Sequence, residues 1–331
     1  MERQCAGRRR RSGGASSGKI KMGKSINLVG ISDTRTAPAA SRLADGIRGQ
    51  SLIVTPSENR AKRLAQDLSF FVSVPVYVWP DVEPGALRYE AKSTAELGSR
   101  LQILERLCTG DPCVIVAPVM GILKKLPPRE TYESEALHLS LSSTIDRNAL
   151  VRRLSLMGYE RADIVESTGQ FAARGDIVDV FPPGREHPLR IELFDEEVDS
   201  LRQFDARTQR SLHNLDRIDV YPAQLLVRNE EIFGAAVKRV LQAYRNALPR
   251  QIDEEAAERL KARREYLIDC IEEGVNLQYL EHFIAYFYQT THYLWEYIVQ
   301  PGFVMIDDPV RMREVFDLYD KESEESRRTI L

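Results

Sequence analysis

Residues 169–182 read GQFAARGDIVDVFP, and residues 189–200 read LRIELFDEEVDS. Apolar and polar side chains alternate along both stretches, which indicates strands of an antiparallel sheet with one buried and one solvated face. The Pro182-Pro183-Gly184 sequence between them predicts a turn. We therefore expect strands over residues 170–181, 189–194 and 197–204.

A helix is predicted to precede these strands. Asp146 can cap it, because an aspartate carboxylate accepts a hydrogen bond from a free N–H of the first turn. Leu150, Leu154 and Met157 follow at helical spacing, and Gly158 ends the helix. One helix with several strands predicts a small α+β domain built on an antiparallel sheet.

The flanking sequence has a different pattern. Apolar strand-like runs alternate with amphipathic helical stretches, the runs at residues 51–55, 74–79 and 113–117 and the helices at 57–71 and 94–108. This alternation is typical of a parallel sheet covered by helices. A further apolar run at residues 303–306 needs a sheet to join, and we expect it to join this one.

Residues 30–36, GISDTRT, follow an apolar run at residues 26–29, in the position of a phosphate-binding loop. Such a loop needs glycines whose N–H groups wrap the phosphates, a lysine for the β- and γ-phosphates, and a hydroxyl for Mg²⁺. Gly30 and Thr36 are present, but Asp33 stands at the second glycine position and the loop contains no lysine. The sequence therefore indicates a vestigial nucleotide loop.

Asp307 and Asp308 resemble the other half of such a site, because they are acids at the end of an apolar strand. They cannot supply the positive charge that the missing lysine would bring. We expect this chain to hydrolyse no ATP, to hold no cofactor or metal ion, and to have no catalytic residue.

The composition argues against several classes of protein. The 331 residues carry a formal net charge of -3, whereas a chain that mainly grips DNA would usually be basic. No apolar run approaches the roughly 20 residues that span a bilayer, so we expect a cytoplasmic protein without membrane contact. The cysteines lack the spacing of a zinc site, and Cys113 is expected to be a small buried apolar residue.

The predicted fold class is α/β: a degenerate P-loop-type parallel-sheet domain that carries an inserted small α+β domain. The predicted boundaries are a disordered basic tail at 1–25, the first part of the α/β domain at 26–126, the inserted domain at 127–215 and the second part at 216–331. The tail, with arginine at residues 8–11, could also be a transit peptide or the product of a misplaced start codon.

Four stretches of the inserted domain carry a family resemblance: MGYERAD at residues 157–163, the two stretches quoted first, and FDARTQRS at residues 204–211. Together they resemble the domain that UvrB shares with the transcription-repair coupling factors, where it binds UvrA. UvrB keeps the loop lysine and has a long tyrosine-rich DNA-clamping hairpin, for which residues 79–107 leave no room. The chain therefore resembles the N-terminal region of the coupling factors.

The resemblance implies a set of partners. UvrA is the expected partner of this chain, and the UvrA-contacting residues of the family match Arg174, Arg190 and Phe194. In that family, RNA polymerase and DNA are bound by further domains on the C-terminal side, which include an ATP- and Mg-dependent translocase. We expect those activities outside this stretch.

Strand alternation supports the same three residues. In residues 189–194, Ile191 and Leu193 should face the core, while Arg190 and Phe194 face solvent. Folding back about the turn at residues 183–186 would place Arg174 opposite Phe194. Alternatively, Arg190 could simply pair with Glu192 or a neighbouring acid at the surface, and Phe194 could be a satellite core residue under a loop.

The preferred interpretation is a non-catalytic docking module of nucleotide-excision repair that recruits UvrA. The alternative is a UvrB-like, ATP-dependent protein that binds damaged DNA; the missing lysine and hairpin argue against it. A third interpretation is a purely structural domain that holds a larger protein in an inhibited state.

Overall fold

The computed structural model describes residues 31, 33–44, 49–81, 94–247 and 254–330. The strands are β1 (Gln50–Thr55), β2 (Val76–Val78), β3 (Cys113–Pro118), β4 (Leu137–Ser140), β5 (Glu160–Arg161), β6 (Gln170–Arg174), β7 (Ile177–Val180), β8 (Leu189–Phe194), β9 (Glu197–Phe204), β10 (Ser211–Leu215), β11 (Arg217–Val220) and β12 (Pro301–Ile306).

The α-helices are α1 (Asp33–Ala44), α2 (Glu58–Leu68), α3 (Thr94–Thr109), α4 (Val119–Ile122), α5 (Arg129–Ser134), α6 (Arg147–Leu156), α7 (Glu230–Ala247), α8 (Glu254–Glu273), α9 (Leu277–Leu280), α10 (Ile284–Phe287) and α11 (Pro309–Ile330). Short 3₁₀ helices lie at Glu281–Phe283 and Leu294–Tyr297. None of the helices within these described ranges is long and apolar enough to cross a membrane.

A parallel sheet with the order β12-β1-β3-β2 forms the first unit. Leu52 of β1 pairs with Val304 of β12 on one side and with Ile115 of β3 on the other. The apolar run near residue 303 therefore joins this sheet, as predicted. Every residue of β1 and β3 is buried, because helices cover both faces of a parallel sheet.

Helix α2 lies against this sheet through one apolar stripe. The Ser57 hydroxyl accepts a hydrogen bond from the Arg60 N–H and caps the helix, as the sequence predicts. The buried residues of the helix are Ala61, Leu64, Ala65 and Leu68, which are the residues expected from the helical spacing. Helix α3 packs on the core cluster of the opposite face through Leu97, Leu101, Leu104 and Leu107.

The second unit is a six-stranded sheet with the order β10-β9-β8-β7-β6-β5. Its helix α6 begins after the capping residue Asp146, as predicted, and buries Leu150 and Leu154 against apolar side chains such as Phe171 and Ile191. These contacts form one core on the inner face of the sheet.

One strand prediction is wrong. Residues 170–181 form the hairpin of β6 and β7 rather than a single strand, because the chain turns at Gly175, whose φ of 55° lies in the left-handed region. Strand β7 therefore separates β6 from β8. Arg174 pairs with Ile177 and does not lie opposite Phe194, whose cross-strand partner is Glu197.

The two units meet at the β7–β8 loop. The Gln102 side chain of α3 donates a hydrogen bond from Nε2 to the Gly184 carbonyl at 2.8 Å. Beside it, Arg185 forms an ion pair with Glu105 of α3 at 3.0 Å. Burial raises the pKa of Glu105, and the neighbouring Arg185 opposes that rise. We call these contacts the interdomain lock.

Helices α7 to α10 pack on one another after the second unit and form a separate apolar cluster, in which Phe233 and Phe287 lie edge to face at 5.0 Å. Strand β12 then returns the chain to the parallel sheet. The domain boundaries given above remain a prediction.

Candidate functional site

The outer face of the six-stranded sheet displays a row of charged side chains. Residues paired directly across antiparallel strands point to the same side. Ile177 pairs with Glu192, Asp179 with Arg190, and Arg190 with Arg202. We call the resulting surface the charged face, which consists of Arg174, Ile177, Asp179, Arg190, Glu192, Phe194 and Arg202.

Arg190 is held at the centre of the charged face. Its Nε donates to Asp179 Oδ1 at 2.7 Å and its Nη2 to Asp179 Oδ2 at 2.8 Å. The guanidinium also lies 4.3 Å from the centre of the Phe204 ring and donates to Gln209 at 3.2 Å. The hydrogen bonds that Arg190 donates to Asp179 raise the pKa of Arg190 further, so the guanidinium stays charged. Arg190 thus pairs with an acid, but that acid is the buried Asp179 and not Glu192 or another acid at the surface.

Arg174 is the more accessible arginine. Its side chain is 51% exposed, whereas that of Arg190 is 14% exposed. Its Nη2 lies 3.5 Å from Oδ2 of the same Asp179 carboxylate, the oxygen that also accepts from Arg190 Nη2. This long contact at an exposed group is weak, so most of the hydrogen-bonding capacity of Arg174 faces solvent.

Phe194 ends β8 immediately before the β8–β9 turn and is 77% exposed. The interpretation of Phe194 as a satellite core residue is therefore wrong. That role belongs to Phe204, which is fully buried on the same side of the sheet in a small cluster with Val165, Ala172 and Phe181. An exposed ring of this size is a strong candidate for contact with another molecule.

Glu192 is neutralised within the charged face. It pairs with Arg202 and accepts a hydrogen bond from the Ser200 hydroxyl at 2.8 Å. Partial burial acts to raise the pKa of Glu192, but these bonds outweigh it and the pKa is lowered. Three arginines thus face two carboxylates, which leaves one excess positive charge on a surface that also carries an exposed ring.

Asp179 is the residue of this site that the sequence analysis missed. It is only 1% exposed, and it connects the two arginines that were singled out. The signal was present, because an acid stands between two valines in the IVDV sequence of β7. A buried carboxylate is tolerated only with charged or hydrogen-bonding partners, so its position predicts nearby cations.

The vestigial nucleotide loop lies at the other unit. Gly30 falls outside the described residues, and Asp33 is the first residue of α1. Thr36 of α1 and Asp307, which follows β12, both contact the Arg60 guanidinium of α2, at 3.1 Å and 2.7 Å respectively. Asp308 points elsewhere: its carboxylate accepts from the Arg311 N–H and caps α11.

These residues do not fit a magnesium nucleotide. Arg60 engages both the Thr36 hydroxyl and the Asp307 carboxylate, which are the kinds of group that would hold Mg²⁺. Across the described stretches, no three His, Cys, Asp or Glu side chains form a group that could hold a metal ion. Cys113 is buried, as predicted.

The unit that carries the charged face is similar to a known protein family. Residues 137–226 match the family model described as the UvrB interaction domain. The transcription-repair-coupling factor of Bacillus subtilis (strain 168) is 30% identical over 299 residues, which is 90% of this chain and 25% of the relative. That of Staphylococcus aureus (strain MRSA252) is 30% identical over 276 residues, 83% of this chain and 24% of the relative. The chain thus spans about a quarter of the length of these relatives.

Proposed function

We propose that this chain, which corresponds to the N-terminal region of the transcription-repair-coupling factors and contains a UvrB interaction domain, binds UvrA and thereby recruits it for transcription-coupled repair. The observation that carries the proposal is the charged face, because its exposed Phe194 and half-exposed Arg174 lie inside the matched residues 137–226.

The proposed binding mode follows from the two kinds of side chain. Arg174 offers a guanidinium that can take a partner carboxylate through two parallel hydrogen bonds. Phe194 enters an apolar pocket of the partner and loses most of its exposed surface there. Arg190 contributes less through free hydrogen bonds than through its fixed position, because Asp179 already holds it.

In this proposal the chain itself is not an enzyme. The loop lacks a lysine, and Arg60 engages the side chains that would hold Mg²⁺. ATP hydrolysis and contacts with DNA or RNA polymerase would then belong to the remaining three quarters of the relatives' length. ATP-dependent binding of damaged DNA by this chain in a gel-shift assay would instead support the UvrB-like alternative.

Titration of purified UvrA with the chain by isothermal calorimetry tests the proposal. Arg174→Ala should weaken binding about 10-fold or more, as for a lost interfacial charge-assisted contact of about 1–3 kcal/mol. Arg152→Ala is the matched control, because Arg152 is 71% exposed on α6 and lies outside the charged face. Equal affinities for the two variants and the wild type would remove the charged face from the interface.

A further inference from the structure

We propose that Arg60 is a built-in cation that permanently replaces magnesium and the loop lysine at the carboxyl end of the parallel sheet. Arg60 lies in the first turn of α2, directly after β1. Its guanidinium reaches three residues that come from the vestigial loop and from the end of β12: Thr36, Asp307 and Asp33.

The distances indicate a bidentate ion pair rather than a chance contact at the surface. Nε donates to Asp307 Oδ2 at 2.7 Å, and Nη2 lies 3.3 Å from Asp307 Oδ1, so the carboxylate is held by both sides of the guanidinium. Nη2 also donates to the Thr36 hydroxyl at 3.1 Å and lies 3.6 Å from Asp33 Oδ1. A planar guanidinium suits this bidentate geometry, which an ammonium group cannot reproduce.

The backbone of Asp307 is held to the sheet as well. The Asp307 N–H donates to the Val54 carbonyl of β1 at 2.8 Å, so the residue cannot swing away from the sheet. The hydrogen bond to Asp307 raises the pKa of Arg60, and burial opposes that rise only in part. The Arg60 guanidinium is therefore charged at physiological pH.

In P-loop proteins, Mg²⁺ lies between a loop hydroxyl and a strand-end aspartate, and the loop lysine holds the phosphates. Here one guanidinium contacts a hydroxyl of the same segment and the strand-end aspartate. It is outnumbered by Asp33 and Asp307, so the site keeps an excess negative charge that opposes a triphosphate. The cation thus joins α1, α2 and β12 without any ligand.

The consequence is that the contacts joining α1, α2 and β12 do not depend on a bound nucleotide. Loss of the guanidinium would leave two carboxylates and a hydroxyl facing each other, which are hard oxygen ligands suited to Mg²⁺. Removal of Arg60 should therefore both destabilise the domain and create a weak divalent-cation site there.

Thermal unfolding of the full chain, with EDTA or with 10 mM MgCl₂ (about the level that fills a weak site), tests this. The wild-type melting temperature should be the same in both buffers and with added ATP. Arg60→Ala should melt roughly 5 °C lower in EDTA and recover part of the loss in MgCl₂. Asp307→Asn in the same background should abolish that recovery.

The control is Arg63→Ala, which removes an exposed arginine from the same helix. It should leave the melting temperature unchanged both in EDTA and in MgCl₂. Arg60→Lys retains the charge and should remain insensitive to Mg²⁺, which keeps the test usable if Arg60→Ala does not fold. The proposal is wrong if Mg²⁺ or ATP raises the melting temperature of the wild type. It is also wrong if Arg60→Ala has the same melting temperature as Arg63→Ala, or if Mg²⁺ does not change the melting temperature of Arg60→Ala.

Discussion

Asp179 and Arg190 form a two-point hydrogen bond, at 2.7 and 2.8 Å, across neighbouring strands of the charged face. The same carboxylate reaches Arg174 at 3.5 Å. A buried acid therefore fixes Arg190 and contacts Arg174 only weakly, the two arginines that we propose for UvrA binding, although the acid is too deep to touch a partner itself. We regard Asp179 as a positioning residue.

We predict that Asp179→Asn weakens UvrA binding about 10-fold. The amide preserves the shape but removes the charge that orients Arg190 and attracts Arg174. Calorimetry with purified UvrA measures the loss, and urea unfolding should show a smaller stability, by about 2 kcal/mol, because a partly buried guanidinium is left without its ion pair.

The control for this variant is Asp199→Asn, which removes an exposed acid from β9. A double variant of Asp179→Asn with Arg190→Gln should cost less stability than the two single changes together, because each single change leaves a charge unpaired. Additive losses would show that the pair does not act as a unit.

Phe194→Ala is predicted to weaken UvrA binding, whereas Phe204→Ala is predicted to lower the stability of the fold. Phe194 is exposed, so its loss should change the free energy of unfolding by less than about 0.5 kcal/mol while weakening UvrA binding by about 2 kcal/mol, roughly 30-fold. Phe204 is fully buried, so its loss should cost about 3–5 kcal/mol of stability.

Urea unfolding and calorimetry on both variants check this. A large stability loss in Phe194→Ala, with affinity unchanged, would make that ring a structural residue and would contradict its assignment to the interface.

Gly184→Ala is predicted to weaken the interdomain lock. A Cβ atom at Gly184 would lie 2.3 Å from the Gln102 Cβ and 3.0 Å from its Cα, and the φ of 79° is itself unfavourable for alanine. Gly169 has a similar φ of 84° but nothing within 4 Å of the added atom.

Gly169→Ala therefore isolates the backbone cost, about 1 kcal/mol, and Gly184→Ala should lose at least about 1–3 kcal/mol more in urea unfolding. Limited proteolysis should also cut between the two units sooner in Gly184→Ala. Equal losses in the two variants would mean that the units do not press on each other at this point.

Cys113 should be inert at neutral pH, because burial raises the pKa of its thiol to about 11. An ordinary thiol has a pKa of about 8.5, so between these values the folded state holds a proton that the unfolded state has lost. Its contribution to stability is therefore complete below about pH 8.5 and is lost as the pH rises through 11.

Thiol titration with a coloured disulfide reagent at pH 8, in a Cys5→Ser, Cys108→Ser background, should show no fast reaction, because the remaining thiols of Cys113 and Cys270 are buried. Replacement of Cys113 by alanine should flatten the alkaline decline of the melting temperature. Rapid labelling of native protein would contradict the buried assignment.

Residues close in sequence made much of the fold predictable. Local sequence predicts the helix caps at Ser57 and Asp146 and the apolar stripe of α2. It also predicts the burial of Ile191 and Leu193. The isolated run near residue 303 could be placed because an unpaired strand needs a partner. The hairpin at Gly175 was missed because apolar alternation continues on both sides of the turn and hides the change of direction.

The sites were less predictable, because they depend on contacts between distant residues. Alternation put Arg190 and Phe194 on one face, but it could not show that Asp179 joins Arg190 to Arg174. The loop sequence showed that a lysine was missing. It gave no sign that Arg60, from the next helix, contacts an acid 247 residues away.

The two neighbours of strand β1 are synthesised at very different times, which affects how the chain folds on the ribosome. Its neighbour β3 follows within about sixty residues, but its other neighbour, β12, is synthesised only after the complete six-stranded sheet. On the ribosome, the inserted unit can finish folding while its host still exposes an apolar strand edge, which invites misassociation. Premature termination before residue 301 would thus release a chain with a finished insert and an aggregation-prone remainder.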